Sequence, residues 1–269
     1  MAEDVGEGDH SSLAAIPALA QNQARLIVKD EGILAGVELA VEIFRAVDPE
    51  LKVNVLLPDG TPVKHSDIAF TVQGKAQSIL TAERLVLNCM QRMSGVATLT
   101  HKLTQLISGT KAKLLDTRKT TPNFRMMEKW AVVIGGGHNH RFGLYDMVML
   151  KDNHIDFCGG IEKAIEKTNA YLVANNLPLA IEVETRSIED VMRVLEVGNI
   201  SRIMLDNYTP QDVEEAVQLI AGRFETEASG GINIDNVEDY ARAGVDFISV
   251  GAIIHHAVSL DLSLKAQLA

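Results

Sequence analysis

The chain has 269 residues, of which 46% are hydrophobic and only 4% aromatic, enough to bury a sizeable and mainly aliphatic core. A formal charge of −11 excludes non-specific binding to nucleic acid or to anionic membranes, whose phosphates the overall field repels. Two distant cysteines, Cys89 and Cys158, exclude a disulfide framework and fit buried free thiols in a reducing, cytoplasmic compartment. The acidic start, with Glu3, Asp4, Glu7 and Asp9, lacks the basic and apolar regions of a signal peptide, and no apolar run approaches the roughly 20 residues of a membrane span.

In chain order, residues 24–29 read as a half-buried strand and residues 36–47 as an amphipathic helix. Residues 52–57 alternate, then Pro58-Asp59-Gly60 turns the chain. Ile68, Phe70 and Val72 alternate again. These predict an open antiparallel sheet with helices on one side. A long helical region over about 81–107 follows, with an interruption expected near Gly95.

From about residue 110 the texture changes to apolar runs that end abruptly in polar residues or glycine. The six ends fall at Asp116, Lys151, Glu184, Asp206, Ser229 and Gly251, spaced 35, 33, 22, 23 and 22 residues apart. About 22 residues accommodate one strand, one helix and two short loops. Helices are expected over 188–197, 210–221 and 235–243 between them. Six such units predict a parallel sheet, and a barrel in preference to an open doubly wound sheet.

In such barrels the active site gathers where the strands end. Polar loops face water in any protein, which accounts for one or two charges but not for a charge or glycine at nearly every end. Between Thr117 and Lys151 stand six cations, Arg118, Lys119, Arg125, Lys129, Arg141 and Lys151, against Glu128 and Asp146. That local reversal in an acidic chain points to a polyanion, because arginine matches carboxylate or phosphate in pairs of hydrogen bonds and lysine adds a point charge. The bland alternative is a solvated basic face.

Glu182 and Glu184 share one face of a strand, with Glu184 nearer its end and the better candidate. Asp206 ends the next strand. Two carboxylates on adjacent ends suit a ribose diol, a magnesium ion or charge developing on a sugar carbon; a salt bridge to Lys151 or Lys119 is the plainer reading. Ser229-Gly230-Gly231 and Ser249-Val250-Gly251, at the last two ends, form a phosphate-binding pattern. His138 and His140 lack a partner cysteine or carboxylate at ligand spacing, which disfavours zinc. His154 is expected to cap or pack.

These residues resemble a known family. Leu115 to Pro122, Glu128-Lys129, Gly135 to Gly137, His140-Arg141 and Lys151 to His154 look like the signature of the quinolinate phosphoribosyltransferases. Glu83-Arg84 with Ser94-Gly95, Glu182-Val183-Glu184, Leu205-Asp206-Asn207, Glu227 to Gly231 and Ser249 to Gly251 extend the resemblance over essentially the whole chain.

The resemblance implies an α/β fold: an N-terminal α/β sandwich domain over residues 1–109 and an incomplete, seven-stranded α/β barrel over 110–269, with a C-terminal helix packing back on the first domain. It implies a pentosyltransferase of NAD biosynthesis that uses quinolinate and 5-phosphoribosyl-1-pyrophosphate, with Mg2+ as cofactor. It implies a homodimer with a shared active site, open to higher assembly. The implied quinolinate site is Arg84 (from the partner subunit), Arg118, Lys119, His140, Arg141 and Lys151. Glu184 and Asp206 are the implied phosphoribosyl and magnesium residues, and Ser229, Gly230, Gly251 and His255 the phosphate residues. Lys119, Glu184 and Asp206 are the catalytic candidates. Arg84 is also expected in the first turn of its helix, where a cation opposes the helix dipole by roughly 0.3–1 kcal/mol, with Glu83 offsetting it.

Family members carry a helix ahead of the segment matching Glu3 to Asp9, near which this chain starts; N-terminal order and dimer stability are where that departure bears. Three rival readings stand beside the resemblance. One is a βα-barrel lyase or aldolase with Lys151 as a Schiff base. Another is a relative acting on a different substrate, nicotinate or a molybdenum-transport-linked one. The third is a non-catalytic anion-binding protein.

Overall fold

The computed structural model describes residues 1–267, in two units. In chain order the elements are α1 (Ala2–Val5), α2 (His10–Ala15), β1 (Gln21–Val28), β2 (Gly32–Ile33), α3 (Val37–Val47), β3 (Lys52–Val55), β4 (Pro62–Val63), β5 (Ile68–Lys75) and α4 (Ala76–Leu106). Then come β6 (Lys113–Leu115), α5 (Arg125–Ile134), β7 (Val148–Leu150), α6 (Asp152–Cys158), α7 (Ile161–Ala174), β8 (Ile181–Thr185) and α8 (Ile188–Val197). The chain continues through β9 (Arg202–Asp206), α9 (Pro210–Ile220), β10 (Glu225–Ser229), α10 (Val237–Arg242), β11 (Phe247–Ser249), α11 (Ala252–His255) and β12 (Leu262–Ala266). Where the sequence suggests one boundary after residue 109, the units interleave: the first comprises Met1–His101, Thr121–Gly136 and the stretch from His256, the second Lys102–Thr120 and Gly137–His255. No helix among the described residues is long and apolar enough to cross a membrane.

The first unit is built on an antiparallel sheet ordered β12-β1-β5-β3. Alternation in β1 and β5 turns Leu26, Val28, Phe70 and Val72 inward, and all four are fully buried. Phe44 of α3 meets Phe70 edge-to-face with ring centroids 5.9 Å apart. Burying such a side chain stabilises the fold by roughly 1.5–3 kcal/mol. Three expectations are corrected here. The C-terminal element is a strand, not a helix: Leu262 to Ala266 pairs with β1. Helix α4 runs unbroken from Ala76, so Gly95 does not interrupt it and Arg84 lies in its third turn, away from the helix start. Gly95 instead allows close approach of a later segment of the same chain, since a Cβ there would lie 2.1 Å from the Val258 carbonyl oxygen.

The second unit carries six parallel strands ordered β6-β11-β10-β9-β8-β7. All six correspond to the apolar runs read from the sequence, and α8, α9 and α10 fall on the expected helices. The sheet has six strands among the described residues where the resemblance implies seven, and an isolated parallel bridge joins His138 to Leu115 of β6. His138 donates its N–H to the Leu114 carbonyl at 2.8 Å, and Asp116 donates to the His138 carbonyl at 3.1 Å. Leu114, Val183, Ile203, Ala228 and Ile248 are buried in this sheet.

Candidate active site at the strand ends

The loop after β6 is shaped by its own polar groups. Asp116, fully buried, accepts the His140 N–H at 2.8 Å, which ties the end of β6 to the segment after the His138 bridge. Thr117 Oγ1 accepts the Lys119 N–H at 3.0 Å and bends the chain between them. Arg118 Nε is buried and donates to no acceptor among the described residues. Arg141 is half-buried and donates from Nη1 to the Met147 carbonyl at 3.1 Å. Burial and then the charge of Arg118 lower the pKa of Arg141, so the two guanidiniums repel across a shared space. A repelling pair with an orphaned buried donor fits an anion held between them.

Glu184 is the penultimate residue of β8 and Asp206 the last of β9, on neighbouring strands. Burial pushes the Glu184 pKa up and the charge of Asp206 adds to the rise, while Lys151 opposes it. Two like-charged hard oxygen donors side by side are the donor set magnesium takes. Asn207, at φ +60°, donates from Nδ2 to Asp206 Oδ2 at 2.6 Å and from its backbone to the Ser229 carbonyl at 2.8 Å. That pair links the β9 end to the glycine loop after β10.

Gly230 has φ +94°, and a Cβ there would lie 2.3 Å from Asn207 Oδ1. Gly251 is flanked on both sides: a Cβ would lie 3.1 Å from His255 Nε2 and 3.1 Å from Lys119 Cδ. Gly251 keeps open the space that Lys119 and His255 border. His154 acts as the cap expected of it, its Nδ1 accepting the Lys151 N–H at 3.0 Å.

Residues 96–265 match the family description "Quinolinate phosphoribosyl transferase, C-terminal domain", and residues 9–94 match its N-terminal domain. The chain belongs to the quinolinate phosphoribosyl transferase family. It is 47% identical to "Quinolinate phosphoribosyltransferase (decarboxylating) 1" of Nicotiana glauca, over 98% of this chain and 79% of that protein. It is 48% identical to the chloroplastic "Nicotinate-nucleotide pyrophosphorylase (carboxylating)" of Arabidopsis thaliana, over 98% of this chain and 80% of that one. Among solved structures it is similar to NadC from Streptococcus pyogenes, with TM-score 0.93 and 37% identity over 98% of this chain and 92% of that chain. The nicotinate-nucleotide pyrophosphorylase from Francisella tularensis gives TM-score 0.92 and 40% identity over 99% and 92%.

In this member of the family, Arg118, Lys119, His140, Arg141, Lys151, Glu184, Asp206, Ser229, Gly230, Gly251 and His255 all belong to the second unit. Arg84 is exposed on α4 in the first. Two of the six cations of the basic stretch do not join the strand-end loops. Arg125 and Lys129 lie on α5 in the first unit, with Lys129 only 2% exposed. Beside it, Glu128 takes the Arg92 guanidinium at 2.8 Å and both donors of Thr121 at 2.8 and 2.9 Å.

A buried cluster that left no clear mark on the sequence lies deeper in the sheet. His140 Nε2 lies 3.0 Å from Glu182 and 3.4 Å from Glu227, and Arg202 reaches Glu227 at 2.8 Å. Glu182 and Glu227 come from alternate strands of the sheet, and both are fully buried. Burial and then the charge of Glu227 push the Glu182 pKa up to about 7. Burial pulls the His140 pKa down, but its two carboxylate partners lift it to about 9. Against a second ring proton stands Nδ1, which accepts the Arg141 N–H at 2.6 Å; the geometry therefore leaves the ring proton on Nε2 and the extra proton with Glu182. The signal in the sequence was the two-residue spacing from Glu184, which sets Glu182 one step deeper on the same face.

Proposed function

We propose that this chain transfers the phosphoribosyl group of 5-phosphoribosyl-1-pyrophosphate to quinolinate, with decarboxylation, yielding nicotinate mononucleotide, CO2 and pyrophosphate. The observation that carries this reading is the pair Arg118 and Arg141, with the orphaned Nε of Arg118, set on the same sheet as the Glu184–Asp206 pair. One pair suits a dicarboxylate and the other a sugar carbon that becomes cationic. The names borne by relatives 47% and 48% identical support the same chemistry.

On this reading Arg118, Lys119, Arg141 and Lys151 hold the two carboxylates and aim the pyridine nitrogen at the anomeric carbon. That nitrogen forms the new bond as the pyrophosphate oxygen departs with its electron pair. Glu184 and Asp206 lie where positive charge develops on the ribose and stabilise it electrostatically. The glycine loops at Ser229-Gly230 and Gly251, with His255, receive the phosphate. The ribosylated ring nitrogen is positive, so its charge stabilises the electron pair left on C2 when that carboxylate leaves as CO2, and a proton then joins C2. Lys119 stands beside Gly251, between the two substrate regions, and is the candidate to steady that carboxylate.

Magnesium fits Glu184 and Asp206, which would hold it directly or through water; when bound it neutralises charge on the departing pyrophosphate. The working unit is a homodimer in which Arg84 of the partner subunit completes the quinolinate site. Its exposure supports that role, as do the exposed Met126, Leu144, Tyr145 and Phe157. The two unpaired cysteines support a reducing, cytoplasmic compartment.

Arg118→Ala tests the carrying observation. Losing a charge-assisted contact to the substrate is expected to lower kcat/KM for quinolinate by roughly 10- to 150-fold. KM for 5-phosphoribosyl-1-pyrophosphate should stay near its original value. Normal turnover at subsaturating quinolinate would remove the clamp.

A further inference from the structure

The resemblance implies that His140 contacts quinolinate, yet its side chain is 5% exposed and both ring nitrogens are turned onto the protein. Nδ1 accepts the Arg141 N–H at 2.6 Å. A lone pair engaged at Nδ1 leaves the ring proton on Nε2, which faces Glu182 at 3.0 Å and Glu227 at 3.4 Å. The backbone N–H of His140 is held in turn by the buried Asp116 at 2.8 Å. Ring and backbone are thus both fixed, and the next residue along is Arg141, within electrostatic reach of Arg118.

We propose that Glu182 and Glu227, anchored by Arg202, are positioning residues for the quinolinate clamp: they fix the His140 ring in its Nε2–H tautomer, and the ring fixes the backbone of Arg141. His140 then serves the substrate at one remove. The inference rests on the phosphoribosyl-transfer reading above. Two carboxylates in the interior of a parallel sheet are costly there, where aliphatic side chains would pack at least as stably. Here they have a geometric task.

A metal could also be imagined among His140, Glu182 and Glu227, whose candidate ligand atoms lie within 4.8 Å of one another. The tautomer argues against it. A metal at Nε2 needs the lone pair there, which moves the ring proton to Nδ1, where the Arg141 N–H at 2.6 Å leaves it no room. Arg202 already neutralises Glu227 at 2.8 Å, so the cluster lacks one proton's charge, not two.

The test compares Glu182→Leu, which removes the acceptor, with Glu182→Gln, which keeps one. Glu182→Leu leaves the Arg202–Glu227 ion pair whole. It is expected to raise KM for quinolinate about tenfold, the scale of one lost hydrogen bond. The phosphoribosyl pyrophosphate KM and kcat should move less than about twofold, and Glu182→Gln should recover most of the lost affinity. Equal losses for both substrates, or no loss from Glu182→Leu, would overturn the proposal. Should Glu182→Leu fail to fold, the unmodified protein decides. Nitrogen-15 histidine spectra are expected to show His140 with Nε2 protonated and Nδ1 bare, with or without quinolinate. A change of its tautomer on adding quinolinate would make His140 a direct ligand and end the proposal. The parent reading fails on a different result, absence of product from the unmodified protein.

Discussion

Asp116 Oδ1 accepts the backbone N–H of His140 at 2.8 Å, with its carboxylate sealed from solvent. This contact joins the two loops that carry Arg118 and Arg141. Replacing Asp116 with Ala leaves a buried N–H without its acceptor, a change that costs about 1–3 kcal/mol. The expected outcome is an unfolding free energy lowered by that amount and a several-fold higher KM for quinolinate. Both are read from urea titration and steady-state kinetics on the same preparation.

Burial raises the Glu184 pKa, and the neighbouring charge of Asp206 adds to the rise. Glu184→Gln keeps the shape and removes the charge. A lost electrostatic partner of the transition state costs about 100- to 1000-fold in kcat. KM for quinolinate should hardly change. Chelating magnesium from the unmodified protein should abolish turnover, and restoring it should restore activity.

Gly230→Ala places a Cβ 2.3 Å from Asn207 Oδ1 on a backbone of φ +94°. The side chain of Asn207 must move, and it also holds Asp206 at 2.6 Å. Strain of this kind costs roughly 1–3 kcal/mol. The variant should therefore show a raised KM for phosphoribosyl pyrophosphate and a lowered kcat together, with quinolinate binding, measured alone by calorimetry, little changed.

If Arg84 serves the partner's site, Arg84→Ala and Asp206→Asn should each be nearly inactive alone and should complement when mixed. Random exchange makes half of the dimers mixed, and each mixed dimer has one intact site of two, so about a quarter of full activity should return. No recovery after exchange, with mixed dimers verified by mass, would place Arg84 in its own subunit's site.

The six parallel strands were legible because each run stops abruptly at a polar residue or glycine. The antiparallel sheet was legible from alternation in β1, β3 and β5, but its fourth strand was not. Leu262 to Ala266 pairs with β1 far away in sequence, and such pairing leaves no local signal. The helix start at Ala76 was placed late because β5 runs directly into it without a turn. The candidate site was legible at Arg118, Lys119, Arg141, Lys151, Glu184 and Asp206, whose charges abut strand ends. Lys129 and Arg125 misled the count of cations, since charge alone does not tell a loop lysine from one buried on α5. Glu227 and Arg202 went unseen because a charge inside a strand reads as solvent-facing until the sheet curls its partner strands toward one centre.

The most direct test follows the carboxylate. Quinolinate labelled at its C2 carboxyl group is incubated with the protein, magnesium and 5-phosphoribosyl-1-pyrophosphate, alongside a parallel reaction with nicotinate. Labelled CO2 and nicotinate mononucleotide are expected in equal amounts from quinolinate, none without phosphoribosyl pyrophosphate, and no nucleotide from nicotinate. Absence of labelled CO2, or nucleotide formed from nicotinate instead, would contradict the proposed reaction.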